Sequence, residues 1–388
     1  PIWGHYGMAR EVAVLTNRDV ENYKTETIKD GKEIKIKIVI EDAKLCPRYV
    51  AVAMSGIKVE ESPEWLKQRL TSVGLRPINN IVDITNFVML DVGQPMHAFD
   101  LATLDQSHLH IRRAHAGESL TTLDGVKRAL DADMLVIADA SRAQAVAGVM
   151  GGATSEVSPT TRTVAFESAY FLPASVRRTS KRLGLKTEAS SRFERGADIN
   201  GPVVALQRAL ALVHDIGAGT LISPIIDRYP QHRGPLIITL RRKALTRLLG
   251  LSIPDADVVR ILQALGLSVV ETARQTPAPA DGWQVTVPTF RVDLLREVDL
   301  QRTGLEDRLP VLGAGELRAP QGRPHPRQQL RQQEGFDQIV VGAAVEAAHA
   351  VGQRVARGQD QHRHAMAGGA QALHQRDAVH ARQADVDD

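Results

Sequence analysis

Glu167 stands in the run TVAFESAY, an apolar stretch with small residues behind it. A carboxylate in a buried strand must be paired or must serve a ligand, because an unpartnered buried charge is costly. His97, in QPMHAFD, carries the side chain that titrates nearest neutrality, and it can hold a proton, a water or a substrate oxygen. The run GVMGG brings Gly148, Gly151 and Gly152 together, where the missing Cβ permits backbone geometry and close approaches that other residues forbid. That run lacks the Lys-Ser/Thr of a phosphate loop and does not open a helix after a strand, so it is not a nucleotide fingerprint. A fourth candidate is GLKTEASSRFERGAD, residues 184–198, which crowds Arg192 and Arg195 among Glu188, Glu194 and Asp198. Each has a plainer reading. His97 would be a hydrogen-bonded loop histidine, and residues 184–198 a solvated loop whose arginines pair with its own carboxylates.

The elements that must hold these residues follow from periodicity and punctuation. GMAREVAVLTNRDV has helical spacing, and RYVAVAMSGIKV reads as a strand. Ser62 and Pro63 sit at the cap and first-turn positions of a helix that Gly74 ends. INNIVDITNFVML places Ile78, Ile81, Val82, Thr85 and Val88 or Met89 near one helical face; Gly93 and Pro95 then break the period and leave His97 on a loop. Strands are expected in HLHIRRA, in ESLTTLDGVKRAL with Asp124-Gly125 as its turn, in DMLVIAD, in AQAVAGVMGG and in TRTVAFESAYF. Helices are expected from Pro173 to Gly184 and between Asn200 and Gly217.

The expected class is α+β: a mixed α/β domain over residues 45–222, a small helix-and-wing domain over 235–300, and a poorly structured tail, with residues 1–44 a preceding remnant and linker. In the second unit LIITLRRKALTRLLGL, SIPDADVVRILQALGLSVV and GWQVTVPTFRVDL give a strand, two helices and two further strands. From about Gln301 the chain is crowded with Gln, Arg, His and Ala, a composition that buries little surface. Its histidines lack a ligand spacing, so a solvated tail is expected there rather than a metal site. A chain of 388 residues, 43% hydrophobic and 24% charged, suits a protein of roughly two or three domains with a sizeable core. The single cysteine, Cys46, rules out an internal disulfide and argues against a cysteine-based zinc site. No apolar run reaches the roughly 20 residues of a membrane span. PIWGHYGMAR lacks a secretory layout, so the cytoplasm is expected. A net charge of +3 neither demands nor excludes a nucleic-acid partner.

Five blocks in this order, RYVAVAMSGIKV, VDITNFVMLDVGQPMHAFD, AGVMGGATSEVS, VAFESAYFLPASVRRTSKRLGLKTEASSRFERGAD and PTFRVDLLREVDL, resemble the beta subunit of bacterial phenylalanine–tRNA ligase. The resemblance covers about the first three hundred residues. It implies a fragment of that subunit with a tRNA-editing domain at 45–222, and it leaves residues 301–388 as a divergent, out-of-frame or unstructured continuation. It further implies an alpha2beta2 assembly in which the alpha subunit joins phenylalanine to tRNA(Phe) with ATP, while the beta subunit binds tRNA and hydrolyses tyrosine attached in error. A tRNA-docking or assembly subunit with a degenerate pocket is the alternative.

Carried over position by position, the editing pocket falls on Thr85, Asn86, His97, Gly148, Gly151, Gly152, Glu167, Thr187 and Ala189. Glu167 would accept the tyrosine hydroxyl, and Ala189 would keep the pocket open. His97 and Thr85 would place the terminal adenosine, the ester and the attacking water, and Arg192 and Arg195 would fix the wall or reach RNA phosphate. The resemblance also implies magnesium held by Asp293, Asp299 and two following glutamates. This chain has Arg302 and Thr303 in place of those glutamates, which removes two hard oxygen ligands and puts magnesium binding in doubt.

Overall fold

The computed structural model describes residues 3–16, 18, 20, 36–272 and 281–302; the expectations for residues 303–388 lie outside the described residues. The order is α1 (His5–Thr16), β1 (Lys37–Ile40), β2 (Arg48–Ser55), α2 (Glu64–Ser72), α3 (Asn80–Val92), β3 (Met96–Asp100), β4 (His108–Arg113), β5 (Ser119–Thr121), β6 (Lys127–Ala129), β7 (Leu135–Ala138), β8 (Ala143–Val146), β9 (Met150–Gly151), β10 (Thr163–Tyr170), α4 (Pro173–Leu183), α5 (Glu188–Phe193), α6 (Gly201–Asp215), β11 (Thr220–Leu221) and β12 (Ile226–Arg228). The helix-and-wing part follows with β13 (Leu236–Arg241), α7 (Arg242–Leu249), α8 (Asp255–Ala264), β14 (Ser268–Thr272), β15 (Gly282–Val287) and α9 (Glu297–Gln301). The class is α+β, as the sequence indicates. No described helix is long and apolar enough to cross a membrane.

Two sheets make the larger part. One runs β11-β2-β10-β3, with β12 also paired to β2; the other runs β1-β4-β7-β8-β9. Side chains alternate across β2 and β10, so each strand feeds two hydrophobic layers. Val50, Val52, Met54, Val164 and Phe166 pack with Leu66 and Leu70 of α2, Ile81, Ile84 and Val88 of α3, and Ala205, Leu206 and Leu210 of α6. Tyr49, Ala51, Ala53, Ala165 and Ala169 face the opposite layer, shared with Ile111, Val136 and Val146 of the second sheet and with Val176, Leu185 and Phe193. The sheet is therefore covered on both sides, and the polar side chains Glu167 and Ser168 on β10 are buried.

Several elements depart from the sequence reading. His97 lies on β3, not on a loop: Gly93 and Pro95 end the preceding helix, and the five residues that follow gain their conformation by pairing with β10. On α3, Ile81, Thr85, Val88 and Met89 are buried as expected, joined by Ile84 and Phe87, while Val82 is half-buried and Ile78 is 63% exposed before the helix starts. Ser62 does not cap α2; its hydroxyl donates to buried Asp83 (2.6 Å), whose other oxygen accepts from the Ile78 N–H (2.9 Å). Residues 37–40, read as linker, form β1 and pair in parallel with β4, and residues 226–228 pair with β2. Residues 184–198 contain the short helix α5.

The helix-and-wing part has its own core of Leu240, Leu245, Val258, Leu262, Trp283 and Val285 around the sheet β13-β15-β14. Arg242 stacks over the Trp283 ring at 4.4 Å and reaches Asp255, Glu271 and Asp281 at 2.6–2.7 Å, so its charge braces strand, helix and wing together.

Phe166 is fully buried in the helical layer. Phe166→Ala is expected to lower stability by about 3–5 kcal/mol in urea unfolding, the range for an emptied aromatic core position.

Candidate active site

Strand register brings the two sequence candidates together. On β10, Glu167 lies opposite His97 of β3 on one side and Ala51 of β2 on the other. β3 is pinned at both ends. The Gln94 side-chain amide donates to Ala169 O (2.8 Å) just before it, and Thr161 Oγ1 donates to Asp100 Oδ2 (2.6 Å) at its close. The His97 ring meets Phe99, two residues along the same face, edge to face at 4.5 Å. Around Glu167 on its own face stand Ala51, Ala165 and Ala169, small side chains beside a buried acid.

The environment is enclosed and largely apolar. Glu167 is 6% exposed, and neither Glu167 Oε2 nor His97 Nε2 has a hydrogen-bond partner among the described residues. His97 is half-buried as a residue, yet its Nε2 is enclosed. Burial pushes the Glu167 carboxyl up to about 8, against a smaller downward pull from the Tyr49 phenol, and burial lowers the His97 imidazole to about 4. At neutral pH both groups are therefore uncharged: a carboxylic acid that can donate as well as accept, and an imidazole with one nitrogen lone pair free.

The glycine run closes over this pair. A Cβ at Gly151 would lie 2.5 Å from His97 Cε1 and 2.8 Å from Nε2, so only glycine lets that backbone sit against the imidazole. Gly148 has φ +70°, and a Cβ there would press on Phe171, Phe193 and Val176 at 3.0–3.1 Å. The Gly152 N–H donates to Gln144 O (2.8 Å) and holds the run against β8. Thr187 ties in the next element: its Oγ1 donates to Val149 O (2.8 Å) and accepts the Ser190 N–H (3.0 Å), while Ser190 Oγ accepts the Thr187 N–H (2.8 Å). That reciprocal cap makes α5 start where it does. Ala189 then packs on the same hydrophobic layer as the glycine run.

The other candidates lie on other elements. Thr85 and Asn86 lie on α3, whose apolar stripe belongs to the helical layer, and Thr85 Oγ1 donates to its own helix at Val82 O (2.7 Å). Arg192 is 6% exposed; it donates to Trp3 O (3.1 Å) and Glu188 O (3.0 Å) and pairs with the Glu188 carboxylate (2.7 Å). Arg195 bonds Ser191 O (2.7 Å) and the Glu194 carboxylate (2.9 Å) and stacks on Trp3 at 4.4 Å. Both arginines make ion pairs within this segment, and Arg192 is buried. Asp293 is clasped by Arg291 at 2.9 and 2.7 Å, and Asp299 accepts the Leu295 and Arg296 N–H groups at 3.1 and 2.8 Å. With both carboxylates committed and Arg302 following, these residues do not fit a magnesium ion, which asks for several free oxygens in octahedral array. Among the described residues no group of three or more His, Cys, Asp or Glu is placed to hold a metal. Tyr49, fully buried on the same face as Glu167, was missed; its signal lay in the two-residue alternation of RYVAVAMS once β2 is registered on β10.

Residues 45–218 match the B3/4 domain family, and residues 238–301 match the tRNA synthetase B5 domain family. The chain thus carries a B3/4 domain followed by a tRNA synthetase B5 domain. The phenylalanine–tRNA ligase beta subunit of Moorella thermoacetica is 45% identical over 321 residues, covering 81% of this chain and 39% of that protein. The same subunit of Geobacter sulfurreducens is 44% identical over 296 residues, covering 76% and 36%. This chain belongs to the phenylalanine–tRNA ligase beta-subunit family and spans about two fifths of the length of these relatives.

The pH dependence of stability gives a direct check. Glu167 binds its proton more tightly folded than unfolded, so its contribution to stability is full below the ordinary glutamate range and declines as pH rises toward about 8. Glu167→Gln is expected to flatten that decline between pH 5 and 8, about the window set by the two pKa values, and to leave the chain more stable than the parent at the upper end, read from urea midpoints. Gly151→Ala is expected to displace the His97 ring while far-ultraviolet circular dichroism stays unchanged, seen as a shifted His97 signal in NMR.

Proposed function

We propose that this chain is the editing part of a phenylalanine–tRNA ligase beta subunit, which binds tRNA(Phe) and hydrolyses tyrosine esterified to it in error. An alpha subunit, in an alpha2beta2 assembly in the cytoplasm, would carry out the ATP-dependent attachment of phenylalanine. The carrying observation is the pair Glu167 and His97, register partners whose enclosed polar atoms lack hydrogen-bond partners among the described residues, with Ala51, Ala165 and Ala169 beside Glu167.

The chemistry suits discrimination by one hydroxyl. An apolar pocket for phenylalanine rejects tyrosine only about a hundredfold, whereas a site built to bond a hydroxyl disfavours the ligand lacking it by roughly ten-thousandfold or more. An uncharged Glu167 carboxyl can bond a phenol without burying a net charge beside it. His97, also uncharged, would hold water and the terminal adenosine near the ester, with the hydroxyl beside the ester on the tRNA's own ribose taking part in proton transfer. Water adds to the ester carbonyl, and the ribose oxygen departs carrying a proton. Thr187 and the glycine run would form the wall, with Ala189 leaving space. Thr85 and Asn86 enter on the resemblance alone.

The whole chain is expected to shorten the lifetime of Tyr-tRNA(Phe) more than that of Phe-tRNA(Phe). The double variant Glu167→Ala, His97→Ala is expected to be slower by roughly a hundredfold or more. An ester no shorter-lived with the parent than with the folded double variant would reject the proposal, and equal effects on the two esters would favour a docking role.

A further inference from the structure

Glu167 is not the only stranded polar group on its face. Tyr49 is fully buried, and its Oη has no hydrogen-bond partner among the described residues. Register places Tyr49 opposite Ala169 and Ala51 opposite Glu167, so phenol and carboxyl are diagonal neighbours on one face of an antiparallel pair. That spacing is within reach of long and aromatic side chains. The two groups feel one another: after burial itself, the Glu167 charge is the next influence raising the Tyr49 phenol, and the Tyr49 phenol is what opposes burial at Glu167. That influence includes a hydrogen-bonding pull of phenol on carboxyl, yet neither Tyr49 Oη nor Glu167 Oε2 has a partner at hydrogen-bond geometry among the described residues. Cys46 fills the adjoining space, fully buried, with its thiol bonded to Arg48 O (3.6 Å).

A layer made only for packing would carry Phe at position 49 and an apolar residue at 167, since each unpaired buried polar atom costs about 1–3 kcal/mol. Two such atoms from neighbouring strands, ringed by Ala51, Ala165 and Ala169, match the needs of a third group that can donate once and accept once. A phenol hydroxyl has that inventory.

We infer that Tyr49 is a second specificity determinant of this pocket: with Glu167 it forms a two-point clamp for the hydroxyl of a tyrosyl group. Tyr49 donates to the ligand oxygen, and the ligand hydroxyl donates to Glu167 Oε2. A ligand without the hydroxyl displaces any solvent and leaves both atoms bare. The inference rests on the editing reading for its ligand class but is tested by binding, not by cleavage.

The experiment uses the whole chain and non-cleavable amide analogues of tyrosyl-adenosine and phenylalanyl-adenosine, with affinities from equilibrium titration. The parent is expected to prefer the tyrosyl analogue, and Tyr49→Phe is expected to reduce that preference by about tenfold or more, the value of one hydrogen bond. Because Tyr49 Oη has no partner at hydrogen-bond geometry among the described residues, a merely structural role predicts an unchanged preference with equal or higher thermal stability. Unchanged preference in folded Tyr49→Phe overturns the clamp, as does a parent that binds the analogues equally or not at all. Should Tyr49→Phe fail to fold, fluorotyrosine at position 49 keeps the shape and strengthens the donor. It must then shift the preference, and no shift overturns the clamp. A parent that prefers the tyrosyl analogue yet spares the ester would sink the editing reading while leaving the clamp in place.

Discussion

The structure turns on a carboxyl group buried in a central strand. Glu167 sits on β10 between two paired neighbours and two hydrophobic layers, where ionisation is resisted and little of its surface is exposed. Register on such a strand is strongly specified, because a slip of one residue would exchange the faces of Phe166 and Glu167. Phe166 is needed among the helices and Glu167 among the alanines, so the apolar side of β10 holds the polar side in place. The energetics of the core and the location of the chemistry are one constraint seen from two faces.

Much of this was legible from sequence where local signals agree. The strand pair around Glu167 announced itself by apolar residues flanking an acid, the hairpin by Asp124-Gly125, and α4 by Pro173 and Gly184. His97 was misplaced because a strand of five residues following Gly93 and Pro95 carries too little alternation to declare itself; partner strands supply its conformation. The helix α5 escaped notice for a related reason. It has six residues of mostly polar composition, and its cap uses Ser190 at the third position rather than a long acid or amide.

Arginines account for another part of what sequence cannot decide. Arg192 holds Trp3 and Glu188, Arg242 gathers three carboxylates onto Trp283, and Arg291 clasps Asp293. In a one-dimensional reading these are indistinguishable from groups awaiting phosphate; burial and distance assign them to the scaffold. The same clasp engages both oxygens of Asp293, and among the described residues no group of acids stands with it to hold a cation.

The parallel pairing of Lys37–Ile40 with His108–Ile111 carries a practical consequence. The match to the B3/4 family opens at residue 45, after this strand. A protein trimmed to that border would bare the outer rim of β4, a row of open amide and carbonyl groups beside buried Leu109 and Ile111 that invites strand addition from another molecule. The evolutionary border and the border of cooperative folding thus fall on different sides of one short strand, and self-association on trimming would mark the difference.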